Sequence, residues 1–198
     1  MASRNDRRTF LQKTALAGAG GLGALGIAGA GAGLDALALG ARQGGPEQRV
    51  RELGLALPAP QPASATLVPA VLSGTVLYVS GHGPARGSEI RAAGKLGADM
   101  TPDEGRAVAH AIGLNVLSTV RNALGSLDRV VRLVKTLGMV NSAPDFTGQP
   151  AVINGFSELM IQVFGEAAGK GARSAVGMAS LPGGWAVEIE AIFEVRPA

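Results

Sequence analysis

The chain has no cysteine, which excludes disulfides, thiolate metal sites and a cysteine nucleophile together. An oxidising compartment is permitted by that absence and not required by it. Histidine is nearly as scarce. His82 and His110 are too few for most transition-metal sites, so no metal is expected. Aromatic residues make up 4% of the chain, with one tryptophan and one tyrosine, and no basic stripe with interleaved aromatics is present. An excess of one charge is also missing from the body of the protein. The formal charge is +3, but Arg4, Arg7, Arg8, Lys13, Asp6 and Asp35 all precede residue 42; the remainder of the chain holds 14 basic and 13 acidic residues, a net +1. No nucleic-acid partner is expected from so neutral a body, whatever the basic isoelectric point.

Glycine, by contrast, is abundant at 30 residues and concentrated near the N-terminus, which divides the chain into two regimes. Residues 4–13 read Arg-Asn-Asp-Arg-Arg-Thr-Phe-Leu-Gln-Lys, a string that resembles the twin-arginine export signal of bacteria. Thr14 to Ala41 carries no charge but Asp35 and is mostly Ala, Gly and Leu, a weakly apolar core. Small-x-small cleavage sites lie at Ala28-Gly29-Ala30, Ala30-Gly31-Ala32 and Ala36-Leu37-Ala38. The expectation is a signal over residues 1–41 and a periplasmic or secreted product that meets the membrane only through that signal. An uncleaved membrane anchor is the alternative, since the stretch is long enough to span a bilayer; a disordered Gly/Ala leader is another.

Residues 42–65 hold Gly44-Gly45-Pro46, Pro58, Pro60 and Pro62, which read as an extended lead-in with a short helical turn over Arg49 to Leu57. The domain proper is expected over residues 66–198. Leu67 to Leu72 and Thr75 to Ser80 form a hairpin around Ser73-Gly74. Thr101-Pro102-Asp103-Glu104 is a helix start with a capping box, Val108, Ile112, Val116, Val120 and Leu124 recur at helical spacing, and Gly125 ends the helix. Val130 to Val140 reads as a strand and Ala151 to Phe164 as a second helix. Ser174 to Ser180 and Trp185 to Val195 are the last strands, the latter alternating Val187, Ile189, Ala191, Phe193 and Val195 against Glu188, Glu190, Ile192 and Glu194. The order ββαβαββ predicts an α+β domain with helices on one face of a mixed sheet.

Several local strings make residues 66 to 195 resemble the RidA/YjgF family, whose fold is chorismate-mutase-like. They are Ala172-Arg173-Ser174-Ala175-Val176, then Leu181-Pro182, then Val187-Glu188-Ile189-Glu190-Ala191-Ile192. Val79-Ser80-Gly81 followed by Pro84, and Ile153-Asn154 at the second helix, match earlier parts of the pattern. The resemblance implies a homotrimer with ligand clefts at subunit boundaries, hydrolysis of 2-imino acids such as 2-aminoacrylate, and no cofactor.

On that resemblance Arg173 is expected to clamp a substrate carboxylate, for which a guanidinium fork is suited. Glu188 would position or activate water. Ser80, Asn154, His82 and the backbone of Ala175 would line the cleft. Each has a plainer alternative: a surface arginine, a solvated edge glutamate, a serine ending a strand, an asparagine capping the second helix, a loop histidine without a chemical role. The family's tyrosine of the first strand falls here at about Leu67, and its glutamine after Ser-Gly is His82. A small-carboxylate binding module and a ribonuclease are the competing functions.

Overall fold

A computed structural model of the chain describes residues 44–85 and 89–197; the expected export segment lies outside them. The elements are α1 (Pro46–Glu52), β1 (Ala70–Ser73), β2 (Val76–His82), α2 (Pro102–Leu124), β3 (Val130–Asn141), α3 (Gln149–Phe164), α4 (Glu166–Gly169), β4 (Ala172–Met178) and β5 (Val187–Val195). The five strands lie in the order β1-β2-β5-β3-β4, with β3 and β4 parallel and the other neighbours antiparallel. This is the α+β arrangement expected from the element order, with α2 and α3 on one face of a mixed sheet.

Local chemistry explains the boundaries. Thr101 Oγ1 accepts from the Glu104 N–H at 3.3 Å while the Glu104 carboxylate accepts from the Thr101 N–H at 2.7 Å, so both halves of the capping box form. Gly125 closes α2 in the left-handed region. The β1–β2 hairpin turns on Gly74-Thr75, with Ser73 opposite Val76 and φ 59° at Gly74. β1 starts at Ala70 rather than Leu67 because Pro69 has no N–H to give the ladder. The Pro69 carbonyl instead accepts both the backbone N–H and the hydroxyl of Ser80.

The alternation along β5 holds throughout. Val187, Ile189, Ala191, Phe193 and Val195 are buried beneath the helices, while Glu188, Glu190, Ile192 and Glu194 face away. Ile112, Leu117, Phe156 and Leu159 complete the core with Leu77 and Phe193. Among the described residues no helix covers the opposite face of the sheet, and its apolar side chains stand exposed: Val71 is 51% and Tyr78 49% accessible, with Val134 and Val176 beside them.

The lead-in is less extended than its prolines suggest. Its helix begins at Pro46, three residues before the expected turn, and buries Val50. Glu47 accepts from Arg121 Nε at 2.9 Å and Nη2 at 2.7 Å, and from the Leu127 N–H at 2.9 Å. Further on, the Ser118 hydroxyl donates to the Pro58 carbonyl at 2.6 Å. The proline-rich stretch is thus strapped along α2.

Candidate functional site

Arg173 is the second residue of β4 and lies opposite Thr136 of β3, which is 2% exposed on the helix-bearing side. Its Nη1 donates to Asn154 Oδ1 at 2.8 Å and Ser157 Oγ at 3.1 Å, both on α3. Asn154 does not cap the helix; Gly148 occupies that position and Asn154 sits in the second turn. One face of α3 therefore holds the guanidinium by two neutral acceptors. No carboxylate among the described residues pairs with it, so Nη2 and Nε remain as a fork beside an exposed edge. Ala175 follows on the same side of β4, opposite Gly138 and half-buried.

Glu188 faces the other way. It pairs with Met139 on the helix-free face, and no hydrogen bond or ion pair among the described residues reaches its carboxylate. Partial burial, with the neighbouring Glu190 adding to it, pushes its carboxyl above the usual carboxylate range. The carboxylate lies against Gly81: a Cβ there would stand 2.0 Å from Glu188 Oε1. Only a residue without a side chain allows this approach. The register shift between Val79 and His82 is a bulge that turns Ser80 and Gly81 toward this spot.

His82 is the last residue of β2 rather than part of a loop, and it is wholly buried. Its Nδ1 is 2.7 Å from the Ser80 carbonyl and its Nε2 2.8 Å from Thr119 Oγ1. A carbonyl only accepts, so Nδ1 carries the proton and Nε2 accepts from the threonine hydroxyl. Burial lowers the imidazole pKa, with the Ser80 bond opposing. The ring is neutral, without surface for a ligand, and anchors the bulge that holds Ser80.

Ser80 lines a cavity of about 300 Å³ on the helix-free face together with Val68, Tyr78, Lys135, Leu137 and Glu190. Lys135 Nζ donates to Ser174 Oγ at 2.8 Å. Expected residues thus fall into two groups: Arg173, Asn154 and Ala175 at the β4 edge under α3, and Ser80 and Glu188 on the open face. Register puts them on opposite sides of the sheet within one chain. Ser157 and Lys135 carry no expectation from the sequence, and Gly81 enters it only as part of the Val79-Ser80-Gly81 string. Ser157 had a signal, lying three residues after Asn154 on the same helical face; Lys135 had none. No group of three or more His, Asp or Glu among the described residues could hold a metal ion.

Residues 47–182 match the family model for YjgF/chorismate mutase-like proteins, a model that also carries an endoribonuclease description. Protein TCP17 of Trypanosoma cruzi is 47% identical over 147 residues, 74% of this chain and 92% of that protein. The crystal structure of Atu1372 from Agrobacterium tumefaciens, whose function is given as unknown, superposes with a TM-score of 0.70 at 42% identity, over 76% of this chain and 92% of the other. A Shewanella oneidensis protein provisionally assigned as an endoribonuclease gives a TM-score of 0.72 at 28% identity, over 77% of this chain and 100% of its own.

Proposed function

The chain belongs to the YjgF/RidA (chorismate mutase-like) family, and from that premise we propose that it hydrolyses 2-imino acids or their enamines to 2-oxo acids and ammonia. The observation that carries this reading is the guanidinium of Arg173, positioned by Asn154 and Ser157 and matched to no acid among the described residues. Such a fork takes a carboxylate in two parallel hydrogen bonds. Beside the bound carboxylate the C=N carbon is electrophilic. Water adds to it, giving up one proton to Glu188, which passes it to the imine nitrogen to give the carbinolamine; the hydroxyl proton then moves through Glu188 to the same nitrogen as the C=O forms, the C–N bond breaks and ammonia leaves. A carboxyl raised by burial exchanges protons closer to neutral pH than an ordinary glutamate. No cofactor enters this scheme.

Arg173 and Glu188 lie on opposite sides of one sheet, which supports a cleft completed by a second copy of the chain. The exposed apolar face around Val71, Tyr78 and Val176 supports a homotrimer with ligand clefts at the subunit boundaries. The twin-arginine string supports action in the periplasm or outside the cell, on imines arising there.

The test is ammonia release from 2-aminoacrylate and larger imino acids generated in situ. Wild type accelerates it, Arg173→Ala lowers kcat/KM by about ten- to a hundredfold, and Glu188→Gln lowers kcat. No acceleration above buffer with any imino acid would overturn the enzymatic reading. The same separation of Arg173 from Glu188 favours a second reading, a carboxylate-binding module without turnover, which that outcome would support.

A further inference from the structure

A second cavity, of about 470 Å³, lies between the proline-rich strap and Trp185, and neither Arg173 nor Glu188 is among its lining residues. We infer that it is a binding site for a small, planar, uncharged molecule that offers a hydrogen-bond donor to Asn115. The size is that of small-molecule sites in general. Pro58, Pro60 and Pro62 form one wall, and Trp185 and Leu67 stand among the other lining residues. Among the described residues no Lys, Arg, Asp or Glu lines it, and none of these lining residues would offset the desolvation of a carboxylate or a cation.

The polar handle is Asn115, on α2. It is 4% exposed, yet it lines this cavity. Its Nδ2 donates to the Gly83 carbonyl at 3.0 Å. A carbonyl cannot donate, so this bond fixes which way the carboxamide points and leaves Oδ1 as the other end. Among the described residues Oδ1 has no partner, and it is not sealed from the cavity. An amide oxygen open to the cavity in this way is available to accept from a donor that enters it.

The walls are built to stay in place. A Cβ at Gly83 would stand 2.5 Å from the indole ring, so Trp185 lies directly on that glycine. The strap is held at one end by Ser118 on the Pro58 carbonyl and at the other by the Ser64 N–H on the Leu67 carbonyl at 2.8 Å. Proline rings and an indole present flat apolar surface with little conformational freedom to lose, which favours a planar guest.

Trp185 is the chain's one tryptophan, so its fluorescence reports on this cavity directly. The full chain is titrated with benzamide and with benzoate, which are alike in shape, the first a neutral donor and the second an anion without one. Benzamide is expected to shift Trp185 emission saturably, with benzoate at least tenfold weaker. Asn115→Leu weakens benzamide about tenfold. Ala63→Phe, which fills the cavity from an exposed position and spares the core, abolishes the response, whereas Arg173→Ala leaves it unchanged. The inference is overturned by no saturable shift with benzamide up to its solubility, by equal binding of benzoate, or by loss of binding in Arg173→Ala. It is also overturned if Ala63→Phe changes the oligomeric mass in light scattering, since a side chain of a second copy would then be the occupant.

Discussion

Removing the imidazole of His82 is expected to cost stability at neutral pH and less of it as the solution is acidified. In the folded chain the ring spans the Ser80 carbonyl and the Thr119 hydroxyl with no solvent access. His82→Leu keeps an apolar filler but leaves the buried Thr119 hydroxyl and the part-buried Ser80 carbonyl without this partner. At about 1–3 kcal/mol for each, the variant loses about 2–6 kcal/mol at pH 7.5. The pH dependence comes from the direction of the shift. Burial holds the folded-state pKa below the ordinary 6.5. As pH falls through 6.5 the unfolded chain takes a proton that the folded chain refuses, and the stability of wild type declines by up to about 1.4 kcal/mol per unit until the folded pKa is reached. The leucine variant lacks this slope. The gap between the two proteins should therefore narrow between pH 7.5 and pH 5.5. Urea unfolding followed by Trp185 emission measures both, and taking the difference cancels the groups they share, including Glu188, whose raised pKa acts with the opposite sign. A gap that stays constant or widens on acidification would refute the neutral, buried assignment.

Gly81→Ala drives a methyl into the place of Glu188 Oε1, and the flexible carboxylate rather than the backbone gives way. Imine turnover should fall while folding is little changed, and any pH midpoint due to Glu188 should move down toward that of an ordinary glutamate; a variant with full turnover and an unshifted midpoint would remove Glu188 from the mechanism. Thr101→Ala breaks the capping box far from the site. It should cost about 1 kcal/mol and lower Tm by a few degrees in calorimetry with activity intact, and an unchanged Tm would count against the cap.

The features legible in the sequence were those set within a few residues of one another. The capping box needs only Thr101 and Glu104, three positions apart on one turn, and the alternation from Val187 to Val195 needs only the pleat of a single strand. Arg173 stands out through its surrounding string, and among the described residues its side chain pairs with no acid. The hidden features all depend on pairing across the chain. Nothing near His82 shows that Thr119, 37 residues on, will take its second nitrogen and draw it into the core. Nothing near Pro58 shows that Ser118, 60 residues away, will strap it down and close a cavity beneath it. The relation of Arg173 to Glu188 is of the same kind. Each strand reveals which of its own residues share a face, but the phase of β4 against β5 is set by β3 between them. There Thr136 aligns Arg173 with the buried Ala191, while Met139 aligns Glu188 with the exposed Val176. One residue of slip on either side of β3 would reverse that relation, and its bulges lie within that register. A ligand touching both groups must therefore pass around the β4 edge or sit between two copies of the chain, and the helix-free apolar face makes the second route the one to test first.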